Sequence, residues 1–545
     1  MHRLILTLLL GFMLSCQSKE KADLIITNAK IYTVNSNFDV FNAMAIADGK
    51  ILKVADEKEI LSEYKSENLK DFNGKTIYPG FYDAHAHFFG YANVLQKANL
   101  KGSGSFDEII LRVITHRTKY PNSKWILGRG WDQNLWEIKE FPNKAILDSI
   151  FPNTPVLLTR VDGHAALVNQ KALDLAGFDE NTVIEGGKLI KDENGLTGIL
   201  LDNAETELNN LVPLEKRDVR VLSYLEAQRN CLKVGLTSLV DCGIKMEWFE
   251  ISDSLYQSGD FKIKLNLLLN PEEENFAFAK ENGVFKSDRL QVQGFKVYSD
   301  GALGSRGACL LEAYSDDPEN SGFLLSSPEN LKAFAKDIYD LGYQMNTHAI
   351  GDSANRLMLD IYNEILGNDT ARRWRIEHAQ VLNPEDFQKF NKNKIIPSVQ
   401  ASHCTSDMYW ADERLGEDRI NYAYAYKTLL DNAGILALGS DFPVEDINPI
   451  YGFHAAVARV DSENKPEGGF QMKDAISREN ALRGMTIWAA YSVFEDERKG
   501  SLESGKDADF VVLDRDIMEV EEIQLRYTKV LSTYISGEEE YRLEE

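Results

Sequence analysis

GFYDAHAH, residues 80–87, ends an apolar run with two histidines two positions apart. On a strand, residues i and i+2 point the same way, so His85 and His87 can reach one metal ion. An HxH pair is a weak signal alone, and its weight comes from the pattern around it. Residues 76–82 read as the strand leading into it. Seven more strand candidates follow at 237–241, 264–269, 294–298, 343–347, 374–377, 395–399 and 435–439. Helices are signalled between several of them. Ser327-Pro328-Glu329 gives an N-cap with Pro in the first turn, and Gly342 closes that helix. Ala354, Leu357, Met358, Ile361, Tyr362 and Ile365 fall on one face at helical spacing, and Asn383-Pro384 opens a third helix. Eight strands with intervening helices predict an α/β fold, a (β/α)8 TIM barrel over 76–494.

The chain ends read differently. Residues 23–75 alternate in the manner of strands, with Asp48-Gly49 a hairpin signal between two apolar runs. ADFVVLD (508–514) and KVLSTYISGEEEYR (529–542) supply more short strands. The economical arrangement is one composite β-sandwich from 23–75 and 495–545. Between the first and second barrel strands, residues 88–235 are far too long for an ordinary βα connection. They predict an inserted subdomain over the barrel mouth, with a hairpin around Gly186-Gly187.

The first sixteen residues, MHRLILTLLLGFMLSC, carry a basic start and an apolar run over 4–14. That run is too short to span a bilayer, which takes about 20 apolar residues. It has the layout of a signal peptide (1–15). Ser15-Cys16 resembles the lipobox of bacterial lipoproteins. Cys16 is therefore the expected lipidation site, 16–22 a tether, and the location a membrane-anchored lipoprotein facing the periplasm or cell surface. Cys231, Cys242, Cys309 and Cys404 show no CxxC spacing and no disulfide framework. A composition 43% hydrophobic supplies ample core, and a formal charge of −25 excludes a nucleic-acid partner, which rewards basic stripes. The expected partner is a small-molecule substrate; pairing into a homodimer is left open.

The histidines are the informative residues. Lys296 (GFKVYSDG), His348 (YQMNTHAIGD), His378 (RIEHAQ) and Asp441 (ALGSDFP) each fall at or just past the carboxyl end of a strand candidate. That is the face where barrel enzymes keep their chemistry. Imidazoles and carboxylates are the usual ligands of zinc and its relatives. A catalytic ion keeps a position open for water and lowers its pKa to about 7, and Asp441 is placed to accept that proton and pass it to a leaving nitrogen.

In this order HxH, Lys, His, His, Asp resembles the amidohydrolase superfamily. GFYDAHAH, DGALGSRGACL, THAIGD, IEHAQ, PSVQASH and LGSDFPVE closely resemble its family 3 branch, the YtcJ-like metal-dependent hydrolases and formamide deformylases. GRGWDQ (128–133), VDGHAALVN (161–169) and GSLESGKDADFVVLD near the C-terminus resemble it too. The resemblance implies that His85, His87 and Asp441 hold one divalent ion and His348 and His378 a second, zinc being preferred. It also implies that Lys296 is carboxylated and bridges them, which accounts for a lysine, a poor ligand as a cation, in a ligand position. His164 is a candidate to bind substrate or polarise its carbonyl. Trp131, Asp132, Arg306 and His403 are candidates to shape the pocket, while His116 and His454 read as structural. The expected function is hydrolysis of a C–N bond (amide, N-formyl or cyclic amide) by a metal-activated hydroxide. Deamination or ester hydrolysis on the same site is the near alternative, and a non-catalytic ligand-binding lipoprotein the distant one.

Overall fold

The computed structural model describes residues 19–393 and 395–544. The expected signal peptide (1–15), Cys16 and the first residues of the expected tether lie outside the described residues. Among the described residues, no helix is long and apolar enough to cross a membrane.

Eight parallel strands follow one another around a barrel: β1 (Phe81–Ala86), β2 (Leu236–Ile244), β3 (Lys264–Leu269), β4 (Leu290–Tyr298), β5 (Gln344–Ala349), β6 (Arg375–His378), β7 (Ile396–Gln400) and β8 (Ala437–Gly439). Helices pack outside them on one large apolar core. Two of the signalled helices form as read, and the third, opened by Asn383-Pro384, begins as a 3-10 turn (Pro384–Asp386) ahead of Gln388–Asn393. Pro328–Asp340 is capped by the Ser327 hydroxyl, which accepts from Asn330 N–H, and Asp352–Leu366 buries Ala354, Met358, Ile361 and Tyr362. The last seam is shut by main chain beyond the strand: Asp441 N–H donates to the His85 carbonyl at 2.7 Å and His87 N–H to Phe442 at 2.9 Å. A Cβ on Gly439 would sit 2.4 Å from the His85 nitrogen, so only glycine allows this approach.

One strand expectation is corrected. Residues 76–82 are two strands, not one. Thr76–Pro79 pairs antiparallel with Phe510–Leu513 and parallel with Lys30–Tyr32 in an end sheet, and β1 begins only at Phe81. Pro79 has no N–H to continue a ladder, and Gly80 permits the step between sheets. That end sheet has six strands drawn from both chain ends, and it faces a four-stranded sheet built from Leu24–Thr27, Ala43–Ala47, Lys50–Ala55 and Leu69–Asp71. Ile26, Met44, Ile46, Ile77, Phe510 and Val512 form their shared core. The Asp48-Gly49 turn has φ of +49° and +72°, as a tight hairpin turn requires.

Residues 98–202 build a separate six-stranded sheet with an apolar core on each face. Its hairpin turns at Glu193-Asn194, between Gly187–Asp192 and Gly195–Asp202, rather than at Gly186-Gly187. The Asp192 carboxylate accepts from Asn194 N–H and Gly195 takes φ +105°, so the sequence DENG makes this turn. Cys231, Cys242, Cys309 and Cys404 are all free thiols.

Candidate metal centre

Strand register brings the ligand-type side chains level. Tyr298 of β4 lies beside His348 of β5, and Ala349 lies beside His378 of β6. His378 (φ +71°) and Asp441 (φ +60°) adopt left-handed backbone that a non-glycine residue rarely holds. Such strain persists where the surrounding structure over-determines it, commonly at functional sites.

Three imidazoles have their ring orientation fixed from behind. His85 Nδ1 lies 2.5 Å from Glu377 Oε2, His87 Nδ1 2.9 Å from the Cys242 carbonyl, and His378 Nδ1 2.7 Å from Gln400 Oε1. Each partner accepts, so each Nδ1 carries the proton and each Nε2 presents a lone pair. Asp441 Oδ1 is 3.1 Å from His87 Nε2 and 3.5 Å from His85 Nε2, yet this buried oxygen receives no hydrogen bond. Lone pairs converging without a donor between them repel unless a cation lies among them. His85, His87 and Asp441 bring ligand atoms close enough to share one ion, and so do His378, His403 and Asp441. The donor set therefore fits a divalent ion.

Lys296 is wholly buried, its Nζ 3.1 Å from His85 Nε2 and 4.8 Å from the centre of the Tyr298 ring. His348 faces His378 with ring centres 4.5 Å apart, but belongs to neither group; its Nε2 is 3.4 Å from the Gly301 carbonyl. His403 stands closer to the centre than its assignment to the pocket wall implied. It lies between Asp441 (3.5 Å) and Glu445 (3.1 Å).

Burial sets the protonation states. It lowers His85 to about 4, with the Lys296 charge acting the same way, and holds His348 and His378 well below the usual imidazole value. All three are neutral near pH 7, as ligands must be. Burial alone would raise Asp441, but His403 and the neighbouring imidazoles of His87 and His85 hold it well below the carboxylate range. Burial would lower His403, yet Asp441 and Glu445 raise it to about 10.

The centre opens into a cavity of about 250 Å³. His164 and Asp132 line it from the insertion, and Tyr298, Leu303 and Trp410 from the barrel side. Trp131 and Arg306, expected to shape it, lie elsewhere. Trp131 is buried in the insertion core, its Nε1–H donating to the Leu158 carbonyl. Arg306 pairs with Asp316 at 2.8 Å. Sequence reading missed Glu377, which is wholly buried between His85 and Arg375 Nε (2.7 Å). A visible signal was the alternation Arg375-Ile376-Glu377, which places two opposite charges on one face of a buried strand. Glu445, beside His403, and Asp202, beside His164, had no comparable signal.

The amidohydrolase family's sequence profile matches residues 69–541. The chain is similar to the protein LONG AFTER FAR-RED 3 of Arabidopsis thaliana, 33% identical over 95% of this chain and 92% of that one. It is 30% identical to the putative amidohydrolase YtcJ of Bacillus subtilis (93% and 97%) and 26% identical to the N-substituted formamide deformylase of Arthrobacter pascens (94% and 97%). Among solved structures it resembles an uncharacterized metal-dependent hydrolase from Pyrococcus horikoshii. That match has TM-score 0.75 and 29% identity, and covers 92% of this chain and 99% of that one.

Proposed function

The chain belongs to the amidohydrolase family, and from that premise we propose that it hydrolyses a C–N bond of an amide, N-formyl or cyclic amide substrate. His85, His87 and Asp441 would hold one divalent ion, zinc by preference. The observation that carries this reading is that His85 Nε2, His87 Nε2 and Asp441 Oδ1 converge closely enough to share one ion, the Oδ1 being buried without a hydrogen bond. His348 and His378 would hold a second ion, with a carboxylated Lys296 as a further ligand. Supporting the carbamate, Lys296 is wholly buried and has no carboxylate within ion-pair distance among the described residues, an unfavourable state for an ammonium.

An ion held there would supply a more acidic water and a Lewis acid for the substrate's carbonyl oxygen. The chain's own residues do the rest. Asp441, held ionised, accepts a proton as the water oxygen adds to the carbonyl carbon, and returns it to the nitrogen as the C–N bond breaks. His403 and Glu445 keep Asp441 oriented. Glu377, Gln400 and the Cys242 carbonyl hold the three imidazoles in the tautomer that binds. The formamide deformylase among the relatives is named for a substrate of this class. Lipidation at Cys16, with the protein tethered to a membrane and facing the periplasm or cell surface, is part of the same proposal, and loss of labelled-palmitate incorporation in Cys16→Ala tests it.

The decisive experiment is elemental analysis of the protein lacking its first sixteen residues, beside His85→Ala and Lys296→Ala, followed by a screen of N-formyl amines and cyclic amides. About two equivalents of zinc, falling in both variants, together with amine release, is the expected result. No metal after reconstitution with zinc and bicarbonate would overturn the mechanism and leave a ligand-binding protein.

A further inference from the structure

The barrel does not build the whole reaction cavity. His164 enters from the insertion and lines it, with its ring centre 5.0 Å from that of His348. Its Nδ1 lies 2.8 Å from Asp202 Oδ1. Asp202 N–H in turn donates to the His164 carbonyl at 2.9 Å, so the two residues are locked through both side chain and main chain. The Asp202 side chain is wholly buried. With a carboxylate accepting at Nδ1, the ring is oriented and Nε2 is the nitrogen left without a protein partner among the described residues.

This arrangement is held against resistance. Asp202 sits at φ +51°, and its Oδ2 is buried without a hydrogen bond. The loop after β4 also makes room for it. A Cβ on Gly301 would fall 2.6 Å from Asp202 Oδ1, and one on Gly307 2.7 Å from Oδ2. Two glycines of the motif DGALGSRG thus serve a carboxylate brought from another subdomain. Strained backbone and an unsatisfied buried oxygen are retained where positioning matters.

We propose that the insertion supplies a working part of the reaction centre: His164, as the imidazolium of an ion pair with the Asp202 carboxylate, keeps a proton on each nitrogen and donates an Nε2–H hydrogen bond to the substrate's carbonyl oxygen as negative charge builds on it. The inference rests on the hydrolase reading above. No proton is transferred, since the N–H stays on His164 and the bond strengthens as the oxygen gains charge. His164 is the catalytic residue, and Asp202 is a positioning residue acting through it.

The test uses the zinc-reconstituted full chain in detergent and methylphosphonate, a tetrahedral oxyanion, titrated calorimetrically at pH 7. The parent binds it. His164→Gln and Asp202→Asn each weaken binding by about 10- to 100-fold with zinc content unchanged. The double variant is no weaker than the worse single one, because the pair acts as a unit. On any N-formyl amine that is turned over, kcat falls by about 10²–10³ and KM changes little. A parent that fails to bind methylphosphonate, a His164→Gln variant that binds like the parent, or losses that add in the double variant would each overturn the proposal. The two readings separate cleanly. Amide hydrolysis undiminished in His164→Gln sinks the pair and keeps the hydrolase. The expected binding pattern with no amide turned over keeps the pair at an oxyanion site and sinks the hydrolase.

Discussion

Replacing Glu377 with Gln should cost metal affinity, although residue 377 lies outside the proposed ligand set. The carboxylate accepts from two donors at once, His85 Nδ1 at 2.5 Å and Arg375 Nε at 2.7 Å, and all three side chains are wholly buried. Burial would raise its pKa, but Arg375 and then His85 hold it well below the usual range, so it is charged at neutral pH. A glutamine has one acceptor oxygen and one NH2. If the oxygen faces Arg375, the NH2 meets His85 Nδ1, and the ring must move its proton to Nε2, where the metal lone pair is needed. If the oxygen faces His85, two donors oppose each other at Arg375, whose remaining acceptors are neutral: the Ala84 carbonyl and the Ser398 and Ser492 hydroxyls. The first outcome weakens metal binding by about 10- to 100-fold, or about 1.4–2.7 kcal/mol. The second strands a buried guanidinium and destabilises the fold by about 3–5 kcal/mol. Competition against a chromogenic chelator gives the zinc affinity. Urea unfolding with and without zinc separates the two outcomes, because weaker binding shrinks the zinc-dependent increment while a stranded charge lowers both curves. A Glu377→Gln protein with parental zinc affinity and parental stability would refute the assignment of Glu377 as the group that sets the His85 tautomer.

Lys264 opens β3 at the end of the barrel away from the candidate metal centre, and its buried ammonium bonds Asp507 and Asp509 at 2.7 Å each. Lys264→Met should destabilise by about 3–5 kcal/mol in urea without changing zinc content, and adding Asp509→Asn should restore part of the loss. Burial would raise Asp507, but Lys264 and Lys50 depress it below the usual carboxylate range. Its contribution is therefore complete above the unfolded value of about 3.9 and is lost as pH falls below it; unfolding midpoints measured from pH 6 down to pH 2 should drop at the acid end in the parent and be flatter in Asp507→Asn. Gly439→Ala places a methyl against the His85 nitrogen, so the soluble variant should lose zinc before it loses helical circular dichroism. Unchanged zinc in that variant would show that the β8–β1 seam does not set the His85 position.

Much of the site could be read from local pattern. His85, Lys296, His348 and His378 lie within strands of period two, and Asp441 just past another. A strand's carboxyl end is visible in sequence because apolar alternation stops there. The hairpin at Asp48-Gly49 and the caps at Ser327 and Asn383 were legible for the same reason, since each depends on residues a few positions apart. The split at Pro79-Gly80 was not taken from the sequence, although the residues that cause it are there. Their partners, Phe510–Leu513, lie more than 400 positions away.

The sequence by itself determined which residue types stand at the barrel mouth. Tertiary structure decided which of them meet, and in what state. Trp131 and Asp132 are neighbours with opposite fates. A register shift between Arg129 and Trp131 re-aims the strand, sending the indole into the insertion core and leaving the carboxylate at the cavity. Nothing within a few residues of His85 names Glu377, and nothing near His164 names Gly301 or Gly307. Those pairings depend on side-chain direction and on closures of long loops, which local propensity does not encode. The candidate ligands are thus written in strand ends, while the hydrogen bonds that fix their tautomers exist only once the barrel has closed.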